Sequence, residues 1–146
     1  MNPTIEKFGY PATLIKEYGH WVVLTRPGQV TAGSLVLAAK SDATAYSQLP
    51  EAAFAEQARV VRDIEGALKR LVNFDKINYL MLMMVDAHVH FHVFPRYAGG
   101  RSVAGMSFAD SGWPGPPDLA SAVNLDSASL EAFVQALRDC WPRSAE

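Results

Sequence analysis

The stretch HVHFHVFPRY, residues 88–97, says more about fold and chemistry than any other part of the chain. Three of the four histidines stand here at every second position, with valine and phenylalanine between and after them. β-Branched and aromatic residues favour a strand, and successive side chains of a strand point to opposite faces. The sequence therefore predicts a strand with His88, His90 and His92 in one row on one face and apolar residues on the other.

The segments before this strand predict further strands and one long helix. Two short apolar runs, residues 20–24 and 33–39, are separated by a turn and indicate adjacent strands. In residues 50–74 the apolar positions recur every three or four residues, which is the pattern of an amphipathic helix. Residues 77–85 are almost continuously apolar, as in a strand buried on both faces. The short break at residues 86–87 predicts a hairpin into the histidine strand.

The C-terminal third divides into a loop and a helix. Residues 98–125 are rich in Gly, Pro and Ser and predict an irregular loop, whereas residues 126–141 predict a C-terminal helix capped by Asp126 or Ser127. Strands, a long helix, strands and a short helix indicate an α+β fold with an antiparallel sheet. The whole chain, residues 1–146, has the length of one domain.

Composition excludes several classes of protein. Hydrophobic residues make up 49% of the chain, enough for a core, and the net charge is −2. Without a basic stripe we expect neither stable nucleic-acid binding nor attachment to an anionic membrane. No apolar run reaches the roughly 18 residues of a membrane span, and no signal peptide is visible at the start. The single cysteine, Cys140, permits no internal disulfide, which is typical of the cytoplasm.

Three interpretations of the histidine row compete. In the first, the polar face of a strand simply carries histidines. In the second the row binds zinc, because two histidines about 6–7 Å apart on one face can reach one ion. A third histidine farther along fits poorly around that ion, and Asp86 is the nearby carboxylate. In the third, a neutral imidazole attacks phosphorus and a neighbouring histidine donates to the phosphate oxygens or protonates the leaving group. The regular spacing of three histidines opposite an apolar face favours the third.

These residues also resemble a known family. The pattern HVHFHVFPRY resembles the His-x-His-x-His signature of the histidine triad superfamily of nucleotide hydrolases and transferases, including its common Pro-Arg extension. Residues 77–97 look like the strand, turn and strand of bacterial members, in which an Asn-Tyr pair opens the first strand. Residues 33–37 resemble the Gly-His-x-Leu-Val strand of the family. The resemblance covers residues 21–97, about half of the chain.

The resemblance implies a fold and a reaction. The fold is a five-stranded antiparallel sheet with one long helix, commonly assembled as a homodimer. The reaction is hydrolysis or transfer at the α-phosphorus of a nucleoside phosphoramidate, dinucleoside polyphosphate or nucleotidyl conjugate, with no cofactor required. By position, His90 is the nucleophile that carries the covalent nucleotidyl group, and His92 contacts the phosphate and helps the leaving group. His88 supports the nucleophile, whose other ring nitrogen is held by the backbone carbonyl at position 88.

The chain departs from the family pattern around the nucleotide. Ser34 stands where many members carry a fourth histidine, and Met84 stands where many carry Asn or Gln. Arg26 replaces an aspartate that holds the ribose hydroxyls in many members, and Asp86-Ala87 replaces a small polar residue. These departures keep a second interpretation open, a non-catalytic module that binds a nucleotide or another phosphorylated metabolite.

Four residues besides the histidines are candidates for the substrate site: Arg26, Ser34, Asn78 and Arg96. Arginine offers a fork of donors that suits phosphate oxygens, so Arg26 and Arg96 are candidates to pair with phosphate. For Arg96 the alternative is an arginine of the surface without such a role. Asn78 is either a satisfied amide within a strand or a group behind the site. No residue is expected to bind a dedicated metal ion.

Overall fold

The computed structural model describes residues 1–143 and contains a five-stranded antiparallel sheet, a long helix and a C-terminal helix, which confirms the predicted α+β fold class. The strands of the main sheet lie in the order first, second, fourth, sixth and fifth along the chain. In chain order, the elements are α1 (Pro3–Lys7), β1 (Leu14–Glu17), β2 (Trp21–Thr25), β3 (Gly28–Gln29), β4 (Leu35–Ala39), α2 (Glu51–Val72), β5 (Lys76–Leu80), β6 (His90–Arg96), β7 (Gly100–Val103), β8 (Met106–Ala109), β9 (Val123–Asn124) and α3 (Ser127–Cys140).

Helix α2 forms where the apolar periodicity predicts it and covers one face of the sheet. Val60, Ile64 and Leu68 follow each other at helical spacing on its inner side and are completely buried. Burying one such side chain contributes about 1.5–3 kcal/mol. The indole of Trp21 in β2 donates a 2.8 Å hydrogen bond to the carbonyl of Ala53, which ties the first turns of α2 to the sheet.

The N-terminal segment covers the opposite face, which the sequence did not predict. Helix α1 is capped by Asn2, whose side chain accepts from the amide of Ile5 and donates to the carbonyls of Ala39, the last residue of β4, and Ser41. These contacts fix α1 above the sheet. The apolar cluster beneath it contains Ile5, Val22, Leu24, Val36 and Ala38.

Strand β5 is shorter than the apolar run that contains it. The run 77–85 predicts a fully buried strand, but pairing with β6 stops at Leu80, opposite His92. Residues 81–89 then leave the sheet as a loop. The two strands do pair antiparallel as the predicted hairpin, but this loop joins them in place of the short turn expected at 86–87. Continuous apolarity produces a buried strand only where both faces are covered. Here Met84 and Val85 remain 86% and 85% exposed.

Residues 98–125 are more regular than predicted. Strands β7 and β8 form a hairpin closed by Ala104 and Gly105 with positive φ, and β9 pairs with β3. Short strands rich in Gly and Ser carry little periodicity, which explains why the sequence indicates a loop. Phe108 of β8 packs against Phe133 of α3, so the hairpin has its own small core.

The C-terminal helix is confirmed. Helix α3 is capped by Asp126, whose carboxylate accepts from the amide of Ser129 at 2.8 Å, as the sequence predicts. Phe133, Val134 and Leu137 are buried on its inner side.

No helix within residues 1–143 has both the length and the apolarity to cross a membrane.

Candidate active site

Strand β6 places two of the three histidines in a pocket. His90 and His92 pair with Ala38 and Val36 of β4, so both rings lie on the sheet face that α1 covers. The open pocket has a volume of about 320 Å³. Its lining combines basic, imidazole and apolar side chains, contributed by Lys7, Phe8, Arg26, Leu82, Met83, Met84, Val85, Asp86, His90 and His92.

A second groove, of about 450 Å³, lies between residues 11–12 and α3. It is larger, but no histidine lines it. The chemistry of the side chains, and not the volume, therefore identifies the pocket at β6 as the candidate active site.

The hydrogen bonds of His90 determine which of its nitrogens is reactive. Nδ1 lies 2.7 Å from the backbone carbonyl oxygen of His88. A carbonyl oxygen only accepts hydrogen bonds, so Nδ1 carries the proton and donates it. In the neutral ring Nε2 is then unprotonated and keeps its lone pair. The ring is only 2% exposed, so little water competes for this nitrogen.

His92 has the opposite arrangement. The Nε–H of Arg26 donates to Nδ1 of His92 over 3.3 Å. Because guanidinium has no acceptor, Nδ1 must be the unprotonated nitrogen and Nε2 carries the hydrogen. Burial, the positive charge of Arg26 and the neighbouring His90 lower the pKa of His92 to about 4, so the ring is neutral at pH 7.

The two rings are close and are held by aromatic neighbours. Their centroids lie 5.2 Å apart with planes at 83°. Phe8, which directly follows α1, approaches the centroids of His90 and His92 to 5.7 and 5.6 Å. Phe94, two residues farther along β6, stacks on His92 with nearly parallel planes. The pair is therefore fixed within an aromatic environment.

His88 does not belong to the row that the sequence predicts. It precedes β6, and its Nδ1 lies 3.0 Å from the hydroxyl of Thr4 in α1. A row of three alternating side chains requires a strand through all five residues, and β6 begins only at His90. His88 supports the pair through its backbone carbonyl, the contact that the family resemblance implies.

Arg26 lines the pocket because the loop between β2 and β4 holds it there. Its Nη1 donates to the carbonyl of Gly28 over 2.5 Å, and its guanidinium lies 5.7 Å from the centre of the Phe94 ring. Its backbone amide donates to the carbonyl of Ser34, the residue that precedes β4. Burial lowers the pKa of Arg26, but an arginine stays charged at neutral pH.

Gln29 organises this loop, and sequence reasoning missed it. Its amide nitrogen donates to the carbonyls of Arg26 and Ser34, and its amide oxygen accepts from the amides of Gly33 and Ser34. The side chain is completely buried and uses its full hydrogen-bonding capacity. A single glutamine in a turn has no sequence signal for such a role.

Ser34 lies in the same turn and away from the pocket lining. It is completely buried, and its hydroxyl donates to the carbonyl of Thr31 over 2.7 Å and accepts from the amide of Thr31. The hydroxyl is thus bonded within the turn, whereas the sequence suggested that it contacts the substrate.

Arg96 and Asn78 are likewise occupied by protein groups. Arg96 is buried at the end of β6 and forms a two-pronged ion pair with Asp110, with distances of 2.6 and 3.0 Å. Its remaining donors reach the amide oxygen of Asn78 and the carbonyl of Gly115. This cluster ties residues 110–115 to the sheet and lies outside the pocket lining. The phosphate contact that the sequence suggested for Arg96 is therefore replaced by contacts within the protein.

The negative charge of Asp86, the acidic residue of the pocket, is balanced by an ion pair with Lys7. Lys7 lies 2.8 Å from Asp86, whose negative charge alone would repel a phosphate. With Arg26 also in the pocket lining, the cationic side chains outnumber this carboxylate. The pocket can therefore accept a phosphoryl group.

The geometry does not favour zinc bound by all three histidines. The ring of His88 is bonded to Thr4, and the Nδ1 atoms of His90 and His92 are bonded to a carbonyl and a guanidinium. Across the described residues, 1–143, no three His, Cys, Asp or Glu side chains are grouped so that they could hold a metal ion.

No family model and no curated protein matches the sequence. Solved structures match over nearly the whole chain. A histidine triad protein from Bradyrhizobium japonicum is 21% identical, with a TM-score of 0.73 and coverage of 97% of this chain and 96% of that one. A hypothetical histidine triad nucleotide-binding protein from Sulfolobus tokodaii strain 7 is 19% identical, with a TM-score of 0.72 and coverage of 94% and 88%.

A zinc-bound histidine triad family protein from Mycobacterium smegmatis is 20% identical, with a TM-score of 0.63 and coverage of 94% of this chain and 88% of that one. At these identities the likeness concerns the fold. The chain has the fold of the histidine triad proteins.

Proposed function

We propose that this chain is a histidine triad hydrolase or transferase that acts at the α-phosphorus of a nucleotide-type substrate through a covalent nucleotidyl group on His90. Nucleoside phosphoramidates, dinucleoside polyphosphates and nucleotidyl conjugates are the substrate classes. The observation that carries the proposal is the pair of opposite ring states, a free lone pair on Nε2 of His90 and a hydrogen on Nε2 of His92.

The first step uses the lone pair of His90. Nε2 attacks the α-phosphorus, a phosphorus–nitrogen bond forms, and the bond to the leaving group breaks with its electron pair on the leaving group. The Nε2–H of His92 donates to a phosphoryl oxygen as charge develops there. The carbonyl of His88 stabilises the proton on Nδ1 of His90 as the ring becomes an imidazolium.

The second step regenerates the enzyme. Water, or an acceptor alcohol in a transferase, attacks the same phosphorus, and the phosphorus–nitrogen electron pair returns to Nε2 of His90. The attacking oxygen loses its proton to solvent through the open pocket. Neither step requires a cofactor.

The pocket suits a phosphate ester with an apolar or aromatic part. Lys7 and Arg26 provide positive charge near the histidines, and the loop 81–89 adds Leu82, Met84 and Val85. A volume of about 320 Å³ lies within the range of small-molecule sites. The name of the structural neighbour from Sulfolobus tokodaii describes that protein as nucleotide-binding, which supports the same ligand class here.

The second candidate function is nucleotide or phosphometabolite binding without turnover. It is supported by Met84, which is 86% exposed and offers no side-chain donor to a phosphate, and by Arg26 in place of a ribose-binding aspartate. Under this alternative the pocket binds the ligand and His90 never becomes modified.

Turnover separates the two functions. The purified chain is treated with a chelator and incubated with a nucleoside phosphoramidate and, separately, with a dinucleoside polyphosphate. We expect nucleoside monophosphate from the wild type and only background product from His90→Gln, which retains much of the side-chain volume. His20→Gln is the matched control, because His20 is the fourth histidine and lies outside the pocket lining. Binding of both substrates without product would favour the alternative.

A further inference from the structure

We propose that Arg26 is a positioning residue that holds His92 as a neutral Nε2–H donor, so that His92 binds a phosphoryl oxygen but does not supply the leaving group with its proton. The ring state is a property of the resting protein. Its chemical consequence rests on the function proposed above.

The hydrogen bond between the two side chains permits one ring state of His92. Guanidinium carries donors only, and its Nε–H points at Nδ1 over 3.3 Å. A hydrogen on Nδ1, in either the other neutral tautomer or the imidazolium, would set two donors against each other. Arg26 therefore excludes both states, and Nε2 keeps the ring hydrogen.

Arg26 can impose this choice because its own position is fixed. Its Nη1 and its backbone amide both donate to carbonyls, those of Gly28 and Ser34. Gln29 donates to its carbonyl over 2.6 Å. A Cβ at position 28 would lie 3.2 Å from Nη1, so the loop fits closely around the guanidinium. Both the guanidinium and the backbone of Arg26 are therefore held in place.

Of the charged groups around His92, all but one lower the pKa of its ring. Arg26 and His90 both disfavour a positive charge on the ring, and burial does so more strongly. Asp86 is the group that favours protonation, and its carboxylate is paired with Lys7 of α1. The balance keeps the ring neutral well below pH 7.

The consequence concerns the leaving group. A neutral His92 that gave up its Nε2 hydrogen would become an imidazolate, which is too basic to form at this site. The leaving group must depart as a stable anion or take its proton from water. The structure thus favours substrates with weakly basic leaving groups, such as the phosphate chain of a dinucleoside polyphosphate, over phosphoramidates of basic amines.

The test is nitrogen NMR of the full-length protein labelled with ¹⁵N-histidine, without substrate. We expect His92 in the wild type to carry hydrogen on Nε2 only, and to stay neutral until the pH approaches about 4. Arg26→Met removes the donor and the charge while keeping a long side chain. In that variant we expect a mixture of tautomers and a pKa of His92 raised towards the ordinary value. Arg62→Met, on an exposed position of α2, is the control and should change neither.

Three results would overturn the proposal: hydrogen on Nδ1 of His92 in the wild type, protonation of His92 near pH 6.5 with Arg26 in place, or unchanged ring states in a folded Arg26→Met. The wild-type spectrum decides the first two even if the variant does not fold. The measurement needs no turnover. A chain with the expected ring state and no activity would therefore refute the proposed function and leave this inference standing.

Discussion

His90 and His92 have the same side chain, but their neighbours give the two rings opposite roles. A carbonyl oxygen opposite Nδ1 leaves Nε2 of His90 with a lone pair, and a guanidinium opposite Nδ1 leaves Nε2 of His92 with a hydrogen. The sequence singles out the histidines that we propose to react, because their spacing on a strand is visible in it. The role of Arg26 as a partner of His92 could not be predicted, because the two residues are 66 positions apart and meet only through the sheet.

The role of His92 as a donor predicts a graded loss of activity. His92→Ala removes stabilisation of the transition state but leaves the attacking nitrogen, so we expect kcat to fall by about 10²–10³-fold. His90→Gln should reduce turnover to background. Initial rates with one substrate for both variants test this order. Equal losses in the two variants would contradict the assignment of separate roles.

Replacing Gln29, which has no role in the proposed chemistry, should lower the stability of the fold strongly. Gln29→Ala would leave buried amides and carbonyls of the loop without partners, so we expect the free energy of unfolding to fall by roughly 2–4 kcal/mol. Urea denaturation measures this change. Gln135→Ala on the exposed side of α3 is the control and should cost about 0.5 kcal/mol or less. A cost for Gln29→Ala as small as that of the control would show that water replaces these bonds.

At the scale of elements, the sequence predicts the regular parts and misses those that depend on distant partners. Helices α2 and α3 carry strong helical periodicity, strand β4 lies in a short apolar run, and all three form where expected. The run 77–85 has the composition of a buried strand, but half of it forms the lip of the pocket, because no neighbouring strand extends to cover it. Helix α1 was missed because five residues carry too little periodicity to recognise.

The Arg96–Asp110 pair joins the end of β6 to the segment after β8. We expect its loss to destabilise the fold more than the loss of an exposed ion pair. Both side chains are almost completely buried, so Asp110→Ala should leave an unpaired charge and destabilise the fold by about 3–5 kcal/mol. Glu17→Ala breaks the exposed pair with Lys40 and should cost about 1 kcal/mol or less. Chemical denaturation of both variants compares them. Similar losses would mean that the buried pair contributes no more than a surface contact.

At the scale of the molecule, we predict a homodimer, as the resemblance to the family implies. The apolar stripe of α2 is buried against its own sheet and offers no contact surface to a partner. We expect the partner to pack on the exposed apolar residues of the pocket lip, Leu82, Met84 and Val85, or on the edge strand β5. Light scattering should give twice the 15.9 kDa of one chain. A mass of 15.9 kDa at micromolar concentration would contradict the prediction.

The central claim is that His90 becomes covalently nucleotidylated during turnover, and the configuration at phosphorus tests it most directly. A substrate with a chiral α-phosphorothioate is hydrolysed in ¹⁸O-labelled water, and the configuration of the product is determined. Each in-line displacement inverts phosphorus, so attack by His90 followed by attack by water gives net retention. We predict retention. Net inversion would show that water attacks the substrate directly, and it would contradict the account of His90 as the nucleophile.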